Sequence, residues 1–308
     1  MSFLRGTAAA ALLLALTVGS TGCIKKMLLD GQIKGTRQGS GAVNTLQDYE
    51  VANAIAFAGL GQMEGMHKLA PDNTDALFML TKSWSGASFA FIEDKYEQAY
   101  EKGDDVMAEY QLMRARAAYQ RAIFYGVELL SHHAEGFKQA KRNQATMHKW
   151  LTNNFTDKDQ AEDLLWTGYA WVARVGVSKD LPAVVGELYV GIEMVTRSVA
   201  LDETLDHAMG HTILGAYYSS FKEFDKSKAE FDRAMQLTGG KYLPVQLNYA
   251  VRYYCAKSDK ADYMKMLDAV LATGDPLPEA RLQNVIAKRK ARRYLGNKVW
   301  QEECGFAQ

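Results

Sequence analysis

The chain is short of several things, and each shortage excludes something. Only three cysteines occur in 308 residues, none of them in a Cys-x-x-Cys pair, which argues against redox catalysis. Acidic and basic residues balance at 36 each, so the chain is not built for nucleic acid or an acidic membrane surface. A Gly-x-Ser-x-Gly elbow, a phosphate loop and a His-Glu-x-x-His motif are all missing. The acidic pairs Glu93-Asp94, Asp104-Asp105 and Glu302-Glu303 read as turns or solvated faces rather than an acid and a base in a cleft. The expectation is a protein that is not an enzyme and takes no cofactor or metal. Prolines number five, and Pro71, Pro182, Pro244 and Pro278 fall at helix joints, where a missing N–H costs least. Strand-like alternation is nearly absent, so the fold class is all-α.

What the chain does have is a repeated pattern. Val195, Phe231 and Leu267 stand in register at a spacing of 36, accompanied by Gly191 and Ser198, by Gly215, Ser227 and Ala234, and by Tyr263 and Val270. Small residues alternating with large apolar ones at this period signal stacked helical hairpins. One hairpin leaves an apolar face uncovered, so neighbours stack into a continuous core. The expected architecture is a right-handed superhelix of tetratricopeptide-like hairpins, an α-solenoid, over residues 46–299. Helices are expected near 47–69, 74–102, 105–134 and 137–152, then one capped by Asp157 with Leu164, Leu165, Gly168, Trp171 and Val172 inward, then 183–200, 204–219, 224–237, 243–256, 259–273 and 278–296, the last as a cap, with 300–308 as a tail.

Residues 1–22 read as a secretory signal. Arg5 supplies the positive charge, Thr7 to Val18 the short apolar stretch, and Ser20-Thr21-Gly22 the small residues before Cys23. The Gly-Cys junction resembles a bacterial lipobox, although a Leu is usual where Ser20 stands. Cys23 is therefore the expected lipidation site and membrane anchor, and Ile24 after it favours the outer membrane. Residues 23–45, polar and rich in glycine from Asp30 onward, read as a flexible tether or a loosely packed lead-in. An exported setting permits a Cys255–Cys304 disulfide. With Cys255 inside a repeat helix and Cys304 in the tail, however, the reading favours two unpaired thiols.

Candidate binding residues come from the aromatics. Trp166, Tyr169 and Trp171 share one helix, and the pairs Tyr217-Tyr218 and Tyr253-Tyr254 each put one ring off the core stripe. These seven are the candidates for lining a groove or pore for an organic ligand or peptide. Glu203, His207 and His211 are spaced to share one helical face, but core or groove packing is favoured over zinc, which needs further ligands. The basic run Lys288-Arg289-Lys290, Arg292-Arg293 reads as a solvated capping face rather than a docking patch for anionic lipid or an acidic partner.

The order of several short motifs resembles the T-component lipoproteins associated with TRAP transporters. These motifs are Arg114-Ala115-Arg116-Ala117-Ala118-Tyr119-Gln120-Arg121-Ala122, Leu164-Leu165-Trp166-Thr167-Gly168-Tyr169-Ala170-Trp171, Leu214-Gly215-Ala216-Tyr217-Tyr218, Phe231-Asp232-Arg233-Ala234 and Asn248-Tyr249-Ala250-Val251. The resemblance runs from about residue 48 to 295. It implies a periplasmic, lipid-anchored scaffold that associates with a periplasmic solute-binding protein of a TRAP transporter. It also implies that an apolar or organic-acid ligand passes through a central pore. One departure is the short turn at Ser219-Ser220-Phe221-Lys222, where the family leads one to expect a longer excursion. The competing expectation is an outer-membrane adaptor for envelope-assembly or cell-wall proteins. Both leave self-association into a homo-oligomer open.

Overall fold

A computed structural model describes residues 24–306; the signal segment and Cys23 lie outside the described residues. Among the described residues there is no strand. The helices are α1 (24–39), α2 (Tyr49–Leu69), α3 (Thr74–Ala87), α4 (Glu93–Glu101), α5 (Asp105–Ser131), α6 (Phe137–Ala140), α7 (Gln144–Asn154) and α8 (Ala161–Gly176). There follow α9 (Pro182–Val185), α10 (Leu188–Leu201), α11 (Leu205–Ser220), α12 (Phe224–Thr238), α13 (Leu243–Asn248), α14 (Lys260–Ala272), α15 (Arg281–Gly296) and α16 (Lys298–Glu303). A π-helical stretch, Ser88–Ile92, joins α3 to α4, and a second, Tyr249–Tyr254, extends α13. Chemistry legible in the sequence sets the boundaries. Asp48, Asn73, Asp104 and Asp259 accept hydrogen bonds from the first-turn amides of α2, α3, α5 and α14. Gly103, at φ +69°, ends α4, and Pro182 and Pro244 occupy the first turns of α9 and α13.

Sequential helices pack as neighbours: α3 on α5, α5 on α8, α8 on α10, α10 on α11, α11 on α12, and α13 and α14 on α15. The register residues Val195, Phe231 and Leu267 are each fully buried. The small residues matter as approach points. A Cβ on Gly215 would lie 2.8 Å from the Phe231 ring, so the ring of α12 occupies the space that a side chain on α11 would need. At the α8–α10 crossing, a Cβ on Gly191 would lie 2.8 Å from the Gly168 carbonyl oxygen, and one on Gly168 would lie 2.9 Å from that of Gly191. Backbone cannot yield as a flexible side chain can. Gly191→Ala is therefore expected to push the two helices apart and cost about 1–3 kcal/mol, read as a lower urea midpoint; an unchanged midpoint would show that the crossing has slack.

The ends of the chain meet. α15 packs on α2 and on the 3₁₀ turn Ser40–Thr45. Leu282 and Ile286 of α15 join Ile33, Leu60, Met63 and Leu77 in one apolar cluster, and Gln283 donates to Asn44 at 2.8 Å. The stretch read as a flexible tether or a loosely packed lead-in is helical over 24–39, mostly exposed and seated by a few contacts. Ile33 is fully buried, Arg37 lies 3.9 Å over the Phe78 ring, and Asn73 donates to Asp30 at 2.8 Å. A few apolar and paired residues suffice to hold a polar segment once a groove is supplied for them.

Two charge assignments also change. Much of the basic run of α15 faces inward: Lys290 is buried and the Arg293 side chain nearly so, Arg289 is partly exposed, and Arg292 is exposed. Glu93-Asp94 is likewise no solvated pair. Asp94, Glu97 and Glu101 lie on one face of α4, opposite Arg289, Lys290 and Arg293. Arg293 bridges Asp94 and Glu97, Lys290 meets Glu97 at 2.7 Å, and Arg289 meets Asp94 at 3.0 Å. Each run looks solvated by itself; together they neutralise one another in the interior. The cysteines are a third correction. Cys255 and Cys304 form a disulfide, because α16 folds back under the end of the second π-helical stretch and brings their Cα atoms to 4.7 Å.

Candidate ligand cavity

The helices line a cavity of about 1870 Å³, partly open to solvent, with a mostly apolar wall. Ile55, Leu60 and Met63 of α2, Leu188 of α10, Ile213 and Ala216 of α11, and Leu282 and Ile286 of α15 supply much of that wall. Its size exceeds the roughly 300–1,000 Å³ usual for small-molecule sites.

Polar groups converge on it in two places. In the first, Glu93, the first residue of α4, accepts a hydrogen bond from the Tyr119 hydroxyl of α5. Tyr169 of α8 stands edge-on to Tyr119 at 6.4 Å. Protein encloses Glu93, and the surface it retains faces the cavity. Burial pushes its carboxyl above the ordinary range, against the opposing influence of Lys290 and the Tyr119 hydrogen bond. Burial likewise raises Tyr169, with the Glu93 charge adding to it.

In the second place, Asp206 of α11 pairs with Lys82 of α3 at 3.2 Å and accepts from the Trp166 indole at 2.6 Å. The Lys82 ammonium also lies 4.8 Å over the Trp166 ring. Asp206, His207 and Ala208 all hold left-handed backbone, at φ +44°, +60° and +58°. Such a turn costs roughly 1–2 kcal/mol per residue, and here the Asp206 contacts offset it. This turn separates His207 from Glu203 and His211, which stay together. His207 lines the cavity, stacked on Tyr242 at 4.5 Å. His211 points elsewhere, meeting Glu230 at 2.6 Å and Glu203 at 3.1 Å, with Glu203 also held by Arg233. Among the described residues no group of three or more His, Cys, Asp or Glu is placed to hold a metal.

Of the seven aromatic candidates, Trp166, Tyr169 and Tyr217 line the cavity. Trp171 packs instead in the core beside Phe137 and Leu164. Tyr218 lies beside Tyr217, under the Lys226 ammonium. Tyr253 is buried with Phe231 and Tyr249, and Tyr254 stacks on Tyr249 at 5.1 Å. The π-helical stretch turns both of these tyrosines away from the cavity and turns Val251 and Arg252 toward it. Sequence reasoning missed Glu93, Asp206, Arg252 and Tyr294 on the wall. Glu93 alone carried a local signal, an acid directly after the apolar run Phe89-Ala90-Phe91-Ile92.

Packed helices lining a large, mostly apolar cavity place the described residues in the all-helical class. The family model for the TRAP transporter T-component matches residues 45–299, and the chain belongs to that family. A comparison with curated proteins returned no match. Among the described residues no helix is long and apolar enough to cross a membrane.

Proposed function

We propose that this protein is an accessory component of a TRAP transport system in the cell envelope, held at the periplasmic face by a lipid on Cys23. On this reading its helical hairpins form a tetratricopeptide-like solenoid that is closed on itself. It binds a periplasmic solute-binding protein on the outside and a small organic or apolar ligand within. The observation that carries the reading is the cavity itself, lined by Trp166, Tyr169 and Tyr217, in a chain whose family is named for TRAP transport. An outer surface adds support. Val106, Tyr110, Met113 and Phe124 follow one face of α5 and are 83%, 51%, 53% and 59% exposed, an apolar stripe of the kind that partner proteins cover.

The test is capture. The protein from residue 24 onward is immobilised and exposed to periplasmic extract, and retained proteins are identified by mass spectrometry. Enrichment of a solute-binding protein is expected, with at least a tenfold loss for Phe124→Glu, because a charge in an apolar contact costs more than about 1.4 kcal/mol. Tyr169→Ala, on the cavity wall and away from the exposed face of α5, leaves this capture intact provided its thermal midpoint shows that it still folds. Recovery of outer-membrane assembly or cell-wall proteins alone would replace the transport reading with that of an adaptor.

A further inference from the structure

The two faces of α1 are put to different uses. Leu29, Ile33 and Arg37, four residues apart, turn inward. Leu29 packs on the apolar cluster that contains Met66, Ile33 is fully buried, and Arg37 lies over the Phe78 ring. Ile24, Met27 and Leu28, at spacings of three and four, share another face, and each is more than half exposed. Lys25 and Lys26 beside them are exposed too. Residues 24–29 hold two lysines and no acid, a local excess that the balanced charge of the whole chain conceals. Leu69 at the end of α2, 74% exposed and preceded by exposed Lys68, belongs to the same corner. The turn after it runs to Asn73, which donates to Asp30 of α1 at 2.8 Å.

The surface that would cover this corner follows from the order of residues. Cys23 directly precedes Ile24. With a lipid on Cys23, as proposed above, no linker separates the bilayer from α1. One peptide spans 3.8 Å and each helical residue adds 1.5 Å, so Leu28 stays within about 10 Å of the Cys23 backbone. Helices that lie in a membrane interface bury their apolar side to about that depth, roughly 5–10 Å. Their lysines at the same time meet the phosphates of anionic headgroups.

We infer that the first turns of α1 form a membrane contact of their own: Ile24, Met27 and Leu28 enter the interface of a bilayer that bears anionic phospholipid, and Lys25 and Lys26 pair with its phosphates. By itself the contact is weak, half complete at roughly millimolar lipid. A lipid on Cys23 makes it intramolecular and so nearly always formed. Asp30, Ile33 and Arg37 fix α1 to α3 and its N-cap. The contact therefore holds the helical body in one orientation on the membrane instead of letting it swing on a tether. The inference shares the envelope setting with the proposed function, but the contact needs no lipid on Cys23 and is tested without one.

The experiment sediments the protein from residue 24 onward with vesicles of phosphatidylcholine, or of phosphatidylcholine mixed with phosphatidylglycerol. The mixed vesicles are expected to retain it and the neutral ones to retain it less. Lys25→Gln combined with Lys26→Gln lowers the partition coefficient on mixed vesicles by roughly tenfold to thirtyfold. Met27→Ser combined with Leu28→Ser lowers it on both kinds by at least about fivefold. All four side chains are exposed, so unchanged thermal midpoints are expected to show that the fold is intact. Retention that is absent, equal on the two kinds of vesicle, or undiminished in both double variants overturns the inference. So does loss of the captured solute-binding protein in Met27→Ser with Leu28→Ser, which would make this corner a protein-docking face. The mass of the mature N-terminus reads the lipid separately: without one on Cys23 the anchor falls, and the vesicle result stands or falls on its own.

Discussion

Arg293→Ala is expected to lower the unfolding free energy by roughly 3–5 kcal/mol, the largest effect of any single substitution considered, because it strands buried carboxylates. Arg293 is 7% exposed at its side chain, Asp94 2% and Glu97 11%, so water cannot take over the solvation that the guanidinium provides. Lys290 would still reach Glu97 at 2.7 Å and Arg289 would still reach Asp94 at 3.0 Å, which sets the lower end of the range. Urea denaturation of Arg293→Ala and of Arg293→Ala combined with Asp94→Asn and Glu97→Gln tests the cause. Neutralising the stranded acids restores part of the loss if burial of unpaired charge is responsible. A loss below about 1 kcal/mol would place the cluster with ordinary surface pairs.

The same cluster gives the acid side of the stability curve its sign. Burial works to raise the Asp94 carboxyl, but the Arg289 and Arg293 hydrogen bonds outweigh it, and the group is held below its usual range. The unfolded chain then binds the proton more readily than the folded one. The contribution is complete above the unfolded value of about 3.9 and is lost as pH falls through the lower folded value. In Arg293→Ala the acid-induced loss below about pH 4 shrinks relative to wild type.

Cys304→Ser is the second large effect, expected to cost about 2–4 kcal/mol. The Cys255–Cys304 bridge spans 49 residues, and opening a loop of that length returns considerable freedom to the unfolded chain. It also fastens a short helix. α16 adds Trp300, which stacks edge-on to Tyr294 at 5.3 Å, and Cys304 is followed by Phe306, edge-on to Tyr263 at 5.0 Å. Denaturation with and without reductant checks this. Reductant is expected to bring the wild type to the midpoint of Cys304→Ser and to leave the variant unmoved. Equal midpoints for both proteins in oxidising buffer would show that α16 holds by packing alone. Because Cys255 directly follows Tyr254, the same bridge ties α16 to the end of the second π-helical stretch.

Helix positions were legible because their signals are local. Asn73 and Asp104 as caps, Gly103 as a breaker and Pro244 in a first turn each act within a few residues of where they stand. The two π-helical stretches were not legible. Each widens one turn of a helix whose periodicity otherwise reads as regular, and the second one leaves Tyr253 and Tyr254 off the cavity wall expected for them. The α15–α4 charge cluster was half legible. Asp94 and Glu97 show a face, Arg289 and Arg293 show another, and nothing in either states that they meet across nearly 200 positions. The left-handed turn at Asp206–Ala208 had no signal, since it contains no glycine and is held by distant Lys82 and Trp166.

The meeting of α15 with the first helices also bears on how the chain acquires its shape. In an open array of stacked hairpins, order spreads from neighbour to neighbour and each end can fray by itself. Here Gln283 must find Asn44, and Tyr100 must find Glu303, across separations of 239 and 203 residues. Such distant pairings cost loop-closure entropy before they return anything, and they slow the search. The cavity wall is therefore complete only once the final helices have docked.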